Sequence, residues 1–565
     1  MSRRQKTVHL EGAAKQALET GRNRLLLASC LLTLAFIAVG GRVINLSAFR
    51  DHNEPTTQSV STDAVLQTGR ADIVDRNGLL MATSLRTPSL YADPTEVLDA
   101  EEAAATLTRV LTDLAPAEIV AKLRAKRRFV WLKRSLTPRE QHAVNRLGIP
   151  GLYFMDEWKR VYPQGELAAH AVGFTDADDR GIAGIEKSFD DVLRGGQDPL
   201  RLALDLRVQH IVRSEVARQI EEFEAIGGTG VVLDARTGET IAMVSLPDFD
   251  PNVVGRMESD ARFNRATLGV YEMGSTFKIF NTAMALDAGT TTMRDGYDAT
   301  NPIRIARFTI NDFHAKRRWL SVPEIFMYSS NIGSVKMALD AGTERQRAFL
   351  GKLGFLTQTA LEVPERGRPM APSPWRPINT MTISFGLGIA VSPIHLASGV
   401  ASVVNGGIRR PVTLLAADVP AAGERVLKAS TSRDMRRLMR LVVENGTGRK
   451  ANAEGYVVGG KTGTAEKSGG RGGYKRKSLL SSFVAAFPMN APRYVVLVMV
   501  DEPKGQKQSS GFATGGWVAA PAVKRIVERA APLLGVAPVD PNSPEIRRDL
   551  MVEVPTVGGK RLASF

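Results

Sequence analysis

Apolar and polar positions follow different rules in different parts of the chain. Leu25 to Gly41 carries no charge and is apolar on all sides, a seventeen-residue run of mostly Leu, Ala, Ile, Phe and Val. Val43-Ile44-Asn45-Leu46 extends it past Arg42, which can snorkel, so a transmembrane helix is predicted over 25–46. Residues 47–62 are polar without period, as in a juxtamembrane stalk. The segment 69–80 is strand-like and closes on the turn Asn77-Gly78. Residues 101–114 and 116–127 have helical spacing. From Gly228 the pattern changes to apolar strands, 230–234 and 240–245, joined by the turn Arg236-Thr237-Gly238. A helix-rich stretch runs from Ser275 to about residue 445. Strands return at 456–458, 480–487 and 494–500, the last two joined by Asn490-Ala491-Pro492. The strands thus come from both ends of one region with helices between them. That predicts an α/β (α+β) domain, one antiparallel sheet flanked by helices with a helical insertion.

The chain has 565 residues, too many for one ordinary core. The divisions expected are a cytoplasmic tail 1–24, the membrane helix 25–46, the stalk 47–62, a non-catalytic region 63–225, a catalytic domain 226–538 and a peripheral tail 539–565. Of its residues 43% are hydrophobic and 24% charged, as in globular proteins. The tail before the apolar run holds Arg3, Arg4, Lys6, Lys15, Arg22 and Arg24 against Glu11 and Glu19, a net of 6 − 2 = +4. Positive flanks stay cytoplasmic, which puts the bulk of the chain outside. A cleaved signal peptide is the competing reading, but the run exceeds an h-region of about 7–15 residues.

The net charge of +15 permits an anionic partner. Lys and Arg are spread along the chain with no zinc-finger, RNP or helix-turn-helix signature, so a nucleic-acid partner is not expected. Acidic lipid or an acidic polymer suits that charge equally well. Cys30 is the only cysteine, which excludes an intramolecular disulfide. The seven histidines lack ligand spacing, and neither a metal nor a cofactor is expected.

Ser275 is the only serine with a lysine three residues on, in Ser275-Thr276-Phe277-Lys278. Ser329-Ser330-Asn331 and Lys461-Thr462-Gly463-Thr464 follow in that order. Each element alone is weak: a helix cap, a turn, a glycine in a strand. Three in order are the set for serine acyl transfer with a lysine base. Phe277, Phe280 and Met284 at helical spacing predict a buried helix opening at Ser275 and ending near Gly289. Ser275 and Lys278 then share a face. Lys278 can take the hydroxyl proton only if neutral, which burial and the charge of Lys461 favour. Ser329 offers a hydroxyl for proton relay, and Asn331 an amide to hold a peptide group. Lys461 with the Thr462 and Thr464 hydroxyls can hold a carboxylate, and Gly463 permits close approach of a substrate along a strand edge. The N–H groups of Ser275 and Thr464 are the expected oxyanion donors. Residues 466–478, with four glycines and five basic residues, are expected to be a mobile loop beside the site.

These motifs resemble those of the penicillin-binding transpeptidases. The segments Arg70…Asp75-Arg76-Asn77-Gly78, Arg160-Val161-Tyr162-Pro163 and Gly181…Gly184-Ile185-Glu186 look like the pedestal, or dimerisation, domain of the class B subgroup. His170-Ala171-Val172-Gly173-Phe174-Thr175 and the short tail are most similar to its cell-division members. One departure is Leu387 in Ser384-Phe385-Gly386-Leu387-Gly388, where relatives commonly carry a polar or aromatic residue.

The resemblance implies a D,D-transpeptidase of the inner membrane, its catalytic domain periplasmic and at the division septum. It would cross-link D-Ala-D-Ala stem peptides of peptidoglycan through a serine acyl-enzyme, and β-lactams would acylate Ser275. It implies as partners an FtsW-type glycosyltransferase and other division proteins. An elongation-type transpeptidase, a hydrolytic D,D-carboxypeptidase or β-lactamase, and an idle penicillin-binding sensor or scaffold are the alternatives. The large non-catalytic region and the intact Ser275, Lys278 and Lys461 favour the first reading.

Overall fold

Apolar runs without polar alternation need cover on both faces of a sheet, and the strands of the central sheet receive it. The computed structural model describes residues 29–39, 69–256, 258–305, 308–468, 474–552 and 554. Its central sheet is built from β1 (Gly227–Asp234), β2 (Thr240–Leu246), β3 (Gly459–Ser468), β4 (Tyr474–Phe487) and β5 (Tyr494–Asp501). All neighbours are antiparallel, in the order β3-β4-β5-β1-β2, so β3 is an edge. Strands from the two ends of the domain therefore join in one sheet, meeting at the β5–β1 pair, as the pattern predicts.

Alternate residues of these strands feed two cores. Val231, Leu233, Val495, Leu497 and Met499 face one core, shared with α2 (Lys278–Ala288), α5 (Pro393–Val404) and α6 (Ala429–Asn445). Val232, Val496, Val498 and Val500 face the other, shared with α1 (Leu206–Glu222) and α7 (Gly515–Ala530). Helix α2 is buried almost all round: Phe277, Phe280 and Phe355 pack ring to ring at 4.7–5.5 Å. Each such ring contributes about 2–3 kcal/mol by burial alone. Gly289 ends α2 in the left-handed conformation, φ +71°.

The region before residue 200 carries a smaller sheet. Leu80–Ala92 pairs antiparallel with Leu152–Val161 along its length and with Val130–Lys133 at its end, over a separate core of Leu90, Leu107, Ile119, Leu123 and Leu132. The three segments singled out in the sequence converge here. Glu186 accepts from Arg70 Nε (2.5 Å) and Arg160 Nε (2.7 Å), and all three side chains are buried. Asp75 closes the Asn77-Gly78 turn by accepting from the N–H groups of Asn77 and Leu79 (2.8 and 2.9 Å). His170 is buried, with Nε2 2.9 Å from the Ala261 carbonyl.

Several expectations need correction. The first two helices are Ala100–Val110 and Pro116–Leu123, shorter than predicted. Ala115 is held extended before Pro116, and residues 124–128 are too polar to bury. Residues 456–458 are not a strand: the Val457 carbonyl accepts from Met489 N and that of Val458 from Arg440 Nη1. The strand starts at Gly459, so the Lys461 motif lies within it. The hairpin of β3 and β4 runs on to Ser468 and resumes at Tyr474, which contradicts a loop over 466–478. Only 469–473, outside the described residues, remain between the strands. The tail is less peripheral than its composition suggests: Pro544–Leu550 is a helix that buries Ile546 and Leu550, and Arg437 Nε reaches the Asp549 carbonyl at 2.7 Å.

Residues 1–67 form a unit separate from 68–565. Within it 29–39 is helical; the rest of the predicted span 25–46 lies outside the described residues. No helix among the described residues is long and apolar enough to cross a membrane.

Candidate active site

Ser275 is the second residue of a 3₁₀ turn, Gly274–Phe277, that runs directly into α2. It does not open an α-helix as the periodicity suggests, but its N–H still precedes the helical hydrogen-bond ladder. Gly274 has φ +56°, and a Cβ there would stand 2.6 Å from the Thr464 carbonyl, so the turn can lie against β3 only with glycine. Ser275 is half-buried, and Lys278 one turn on is fully buried.

Lys278 Nζ lies 2.7 Å from the Ser329 carbonyl, 2.7 Å from Asn331 Oδ1, 3.0 Å from Ser275 Oγ and 3.1 Å from Ser329 Oγ. The first two partners only accept, and together they take both hydrogens of a neutral amine. The lone pair is left for a hydroxyl. Burial, and secondly the charge of Lys461, hold Lys278 well below the ordinary lysine value, while Asp312 opposes them. Burial brings Lys461 down to about 7. Burial thus depresses both amines, and Lys278 alone carries the further push of a neighbouring charge.

Ser329 sits between helices α3 (Val322–Tyr328) and α4 (Asn331–Ala341) in the left-handed conformation, φ +60°. A non-glycine residue held there marks local strain. The conformation brings its Oγ 2.9 Å from Lys461 Nζ as well. Ser275 Oγ, Lys278 Nζ, Ser329 Oγ and Lys461 Nζ thus form one chain with links of 3.0, 3.1 and 2.9 Å. An unprotonated amine, an accessible hydroxyl and a relay ending in a buried cation can take a proton from a nucleophile and pass one on.

Lys461 comes from the edge strand β3. Thr462 Oγ1 is 3.4 Å from Lys461 Nζ and 2.8 Å from Thr447 Oγ1. Gly463 has a role different from the expected one. A Cβ there would meet Ser482 Oγ at 2.4 Å, the Met273 carbonyl at 2.7 Å and Thr276 Cγ2 at 2.9 Å. The space it leaves is filled by Ser482 and by the turn carrying Ser275. Thr464 Oγ1 accepts the Gly515 N–H (3.1 Å), which leaves its own O–H to donate.

The structure thus gathers Ser275, Lys278, Ser329, Asn331 and Lys461 at one point, with Thr462 beside them. Asp312 and Thr447 are additions that motif spacing does not disclose, because Asn311-Asp312 and Gly446-Thr447-Gly448 read only as turns. No cluster of His, Cys, Asp and Glu suited to a metal ion occurs among the described residues.

Residues 228–528 match the family described as the penicillin-binding protein transpeptidase domain, and residues 66–219 match the penicillin-binding protein dimerisation domain. The chain belongs to the penicillin-binding transpeptidases. The pairing of the two domains makes it a class B member. It is 42% identical to a protein named probable peptidoglycan D,D-transpeptidase FtsI of Caulobacter vibrioides, over 83% of this chain and 82% of the relative. It is 32% identical to the peptidoglycan D,D-transpeptidase FtsI of Escherichia coli K12, over 92% of each chain. The fold matches that of penicillin-binding protein 3 from Mycobacterium tuberculosis, solved with aztreonam, with a TM-score of 0.67. That match covers 84% of this chain and 98% of the other at 23% identity.

Proposed function

We propose that this class B penicillin-binding protein is a peptidoglycan D,D-transpeptidase of the FtsI type, acting in septal wall synthesis. The observation that carries the reading is the buried lysine with both hydrogens committed to carbonyl oxygens and its remaining side 3.0 Å from an accessible serine. The names of the relatives supply the substrate class, D-Ala-D-Ala stem peptides, and the septal setting.

In this reading Ser275 Oγ attacks the carbonyl carbon between the two D-alanines while Lys278 Nζ takes its proton. The oxyanion is held by the N–H groups of Ser275 and Thr464, the second on the free edge of β3. The C–N bond breaks, and the leaving D-alanine amine takes a proton from the Lys278–Ser329–Lys461 chain. Asn331 fixes the donor peptide, and Lys461 with Thr462 holds the terminal carboxylate. An acceptor stem amine then attacks the ester, Ser275 recovers its proton, and the cross-link leaves. β-Lactams enter by the first half of this sequence.

The matched ranges support a pedestal over 63–225 and a transpeptidase domain over 226–538. The helical, exposed apolar side chains of 29–39, Leu31 and Phe36 among them, support a membrane anchor over 25–46 with the catalytic part periplasmic. An FtsW-type glycosyltransferase, which the family resemblance implies, is the proposed partner for glycan polymerisation.

The test is labelling and turnover of the full-length protein in detergent. A β-lactam should add its mass to the peptide containing Ser275, and Ser275→Ala should remove the label. Given a pentapeptide donor and an amine acceptor, the protein should form the cross-linked product with release of D-alanine. Labelling at another residue sinks the nucleophile assignment. Hydrolysis without aminolysis, at saturating acceptor, replaces the transpeptidase with a carboxypeptidase.

A further inference from the structure

Asp312 lies outside all three motifs, on the segment that follows the strand Phe308–Ile310, yet its carboxylate gathers the donors around the central motif. Oδ2 accepts from the Ser330 hydroxyl at 2.7 Å. Oδ1 accepts from the N–H of Asn331 at 2.5 Å and that of Ile332 at 2.9 Å. The residue before it, Asn311, accepts from Asn331 Nδ2 at 2.8 Å through its carbonyl. Asn331 is thereby gripped at its backbone and its amide, which turns Oδ1 to Lys278. Ser329, in its left-handed conformation, is the residue immediately before this clamped stretch.

We propose that Asp312 is a positioning residue for acyl transfer: its carboxylate locks Ser330, Asn331 and Ile332 so that Ser329 and Asn331 converge on Lys278, and its negative charge counters that of Lys461. The proposal rests on Ser275 and Lys278 being nucleophile and base. Three observations support it. Both carboxylate oxygens are bonded, to donors in the three consecutive residues Ser330, Asn331 and Ile332. The donors are two consecutive N–H groups at the start of α4 and the hydroxyl that caps it, where a negative charge is held best. Finally, of the charged groups facing Lys278, Lys461 on β3 pushes its proton off and Asp312 on this segment holds it on. The two act in opposite directions on one amine, so the protonation state of the base depends on both.

Asparagine at this position can present its oxygen to the two N–H groups and its amide to the Ser330 oxygen. Asp312→Asn therefore removes the charge and keeps the geometry, whereas Asp312→Ala removes both. The experiment measures the second-order rate constant of acylation by a chromogenic β-lactam from pH 5 to 9, on the full-length wild type and both variants, with thermal unfolding alongside. The rising acid limb of the Asn variant should lie at a pH lower by about half a unit or more, because loss of the negative charge makes Lys278 easier to deprotonate. The Ala variant should lose at least about tenfold in rate at the plateau, since its N–H donors are left unmatched. A wild-type profile reproduced by the Asn variant, together with less than about a threefold loss in a folded Ala variant, overturns the proposal. Failure of the wild type itself to be acylated at Ser275 would strike the underlying reading instead.

Discussion

Lys461 Nζ stands 2.9 Å from Ser329 Oγ, although the two residues are 132 positions apart and belong to an edge strand and a left-handed hinge between helices. Ser329 is the piece that puts two lysines in contact with one hydroxyl without making them share a proton. Burial depresses both amines, and the charge of Lys461 adds to that push at Lys278, which assigns the two different work.

Lys278→Arg should reduce acylation by at least about a thousandfold, because a guanidinium stays protonated and cannot accept the serine proton. Lys461→Arg should cost about tenfold, since the charge survives in a different shape. Rapid-mixing acylation rates compare the two, and equal losses would contradict the division of labour.

Acylation by a carboxylate-bearing β-lactam should depend on pH on both sides. It rises as pH climbs past the depressed value of Lys278 and the neutral base accumulates. It falls as pH passes about 7, where free Lys461 loses the charge that attracts the carboxylate. Lys461→Arg should abolish the alkaline limb. A wild-type rate that stays constant from pH 6 to 9 would count against this account.

Gly463→Ala should lower acylation more than tenfold with little change in global stability. The added methyl would sit 2.7 Å from the Met273 carbonyl and displace the turn that carries Ser275. Acylation kinetics and a melting curve on the same sample separate the effects; a large melting shift with normal kinetics would place the strain elsewhere.

Glu186→Gln leaves the buried guanidinium groups of Arg70 and Arg160 without their shared anion. A loss of about 3–5 kcal/mol is expected, visible in thermal unfolding of the full-length protein. The folded fraction should still be acylated at Ser275, which distinguishes a structural ion cluster from a catalytic one.

Burial lowers His170 to about 4, so its neutral form belongs to the fold. The unfolded chain, with an ordinary value near 6.5, binds more protons between those limits. Stability therefore falls as pH drops from about 6.5 to 4, by up to about 3 kcal/mol from this residue. His170→Gln should flatten that part of the melting temperature profile, and His395, also lowered by burial, contributes to the slope that remains.

What the sequence disclosed is what local chemistry dictates. Apolar runs located the strands β1, β2, β4 and β5, and the spacing of Phe277, Phe280 and Met284 located the buried face of α2. The order of the three motifs located the reacting groups, because acyl transfer needs those residue types wherever the chain brings them. Contacts across long separations were hidden. Nothing near Asp312 says that it will hold Asn331, and nothing near Gly463 says that its missing side chain makes room for Met273. The glycine- and lysine-rich composition of residues 466–478 pointed to a loop, but edge pairing with β4 overrides such local preferences. The left-handed Ser329 is likewise invisible to propensity, since tertiary contacts impose it.

Because β3 is an edge, it is joined to the sheet only through β4, which is joined through β5 to β1. Lys461 therefore has no place to stand until residues up to Asp501 have been made. A growing chain carries Ser275 and Lys278 for more than two hundred residues before the cation that completes their chemistry is seated.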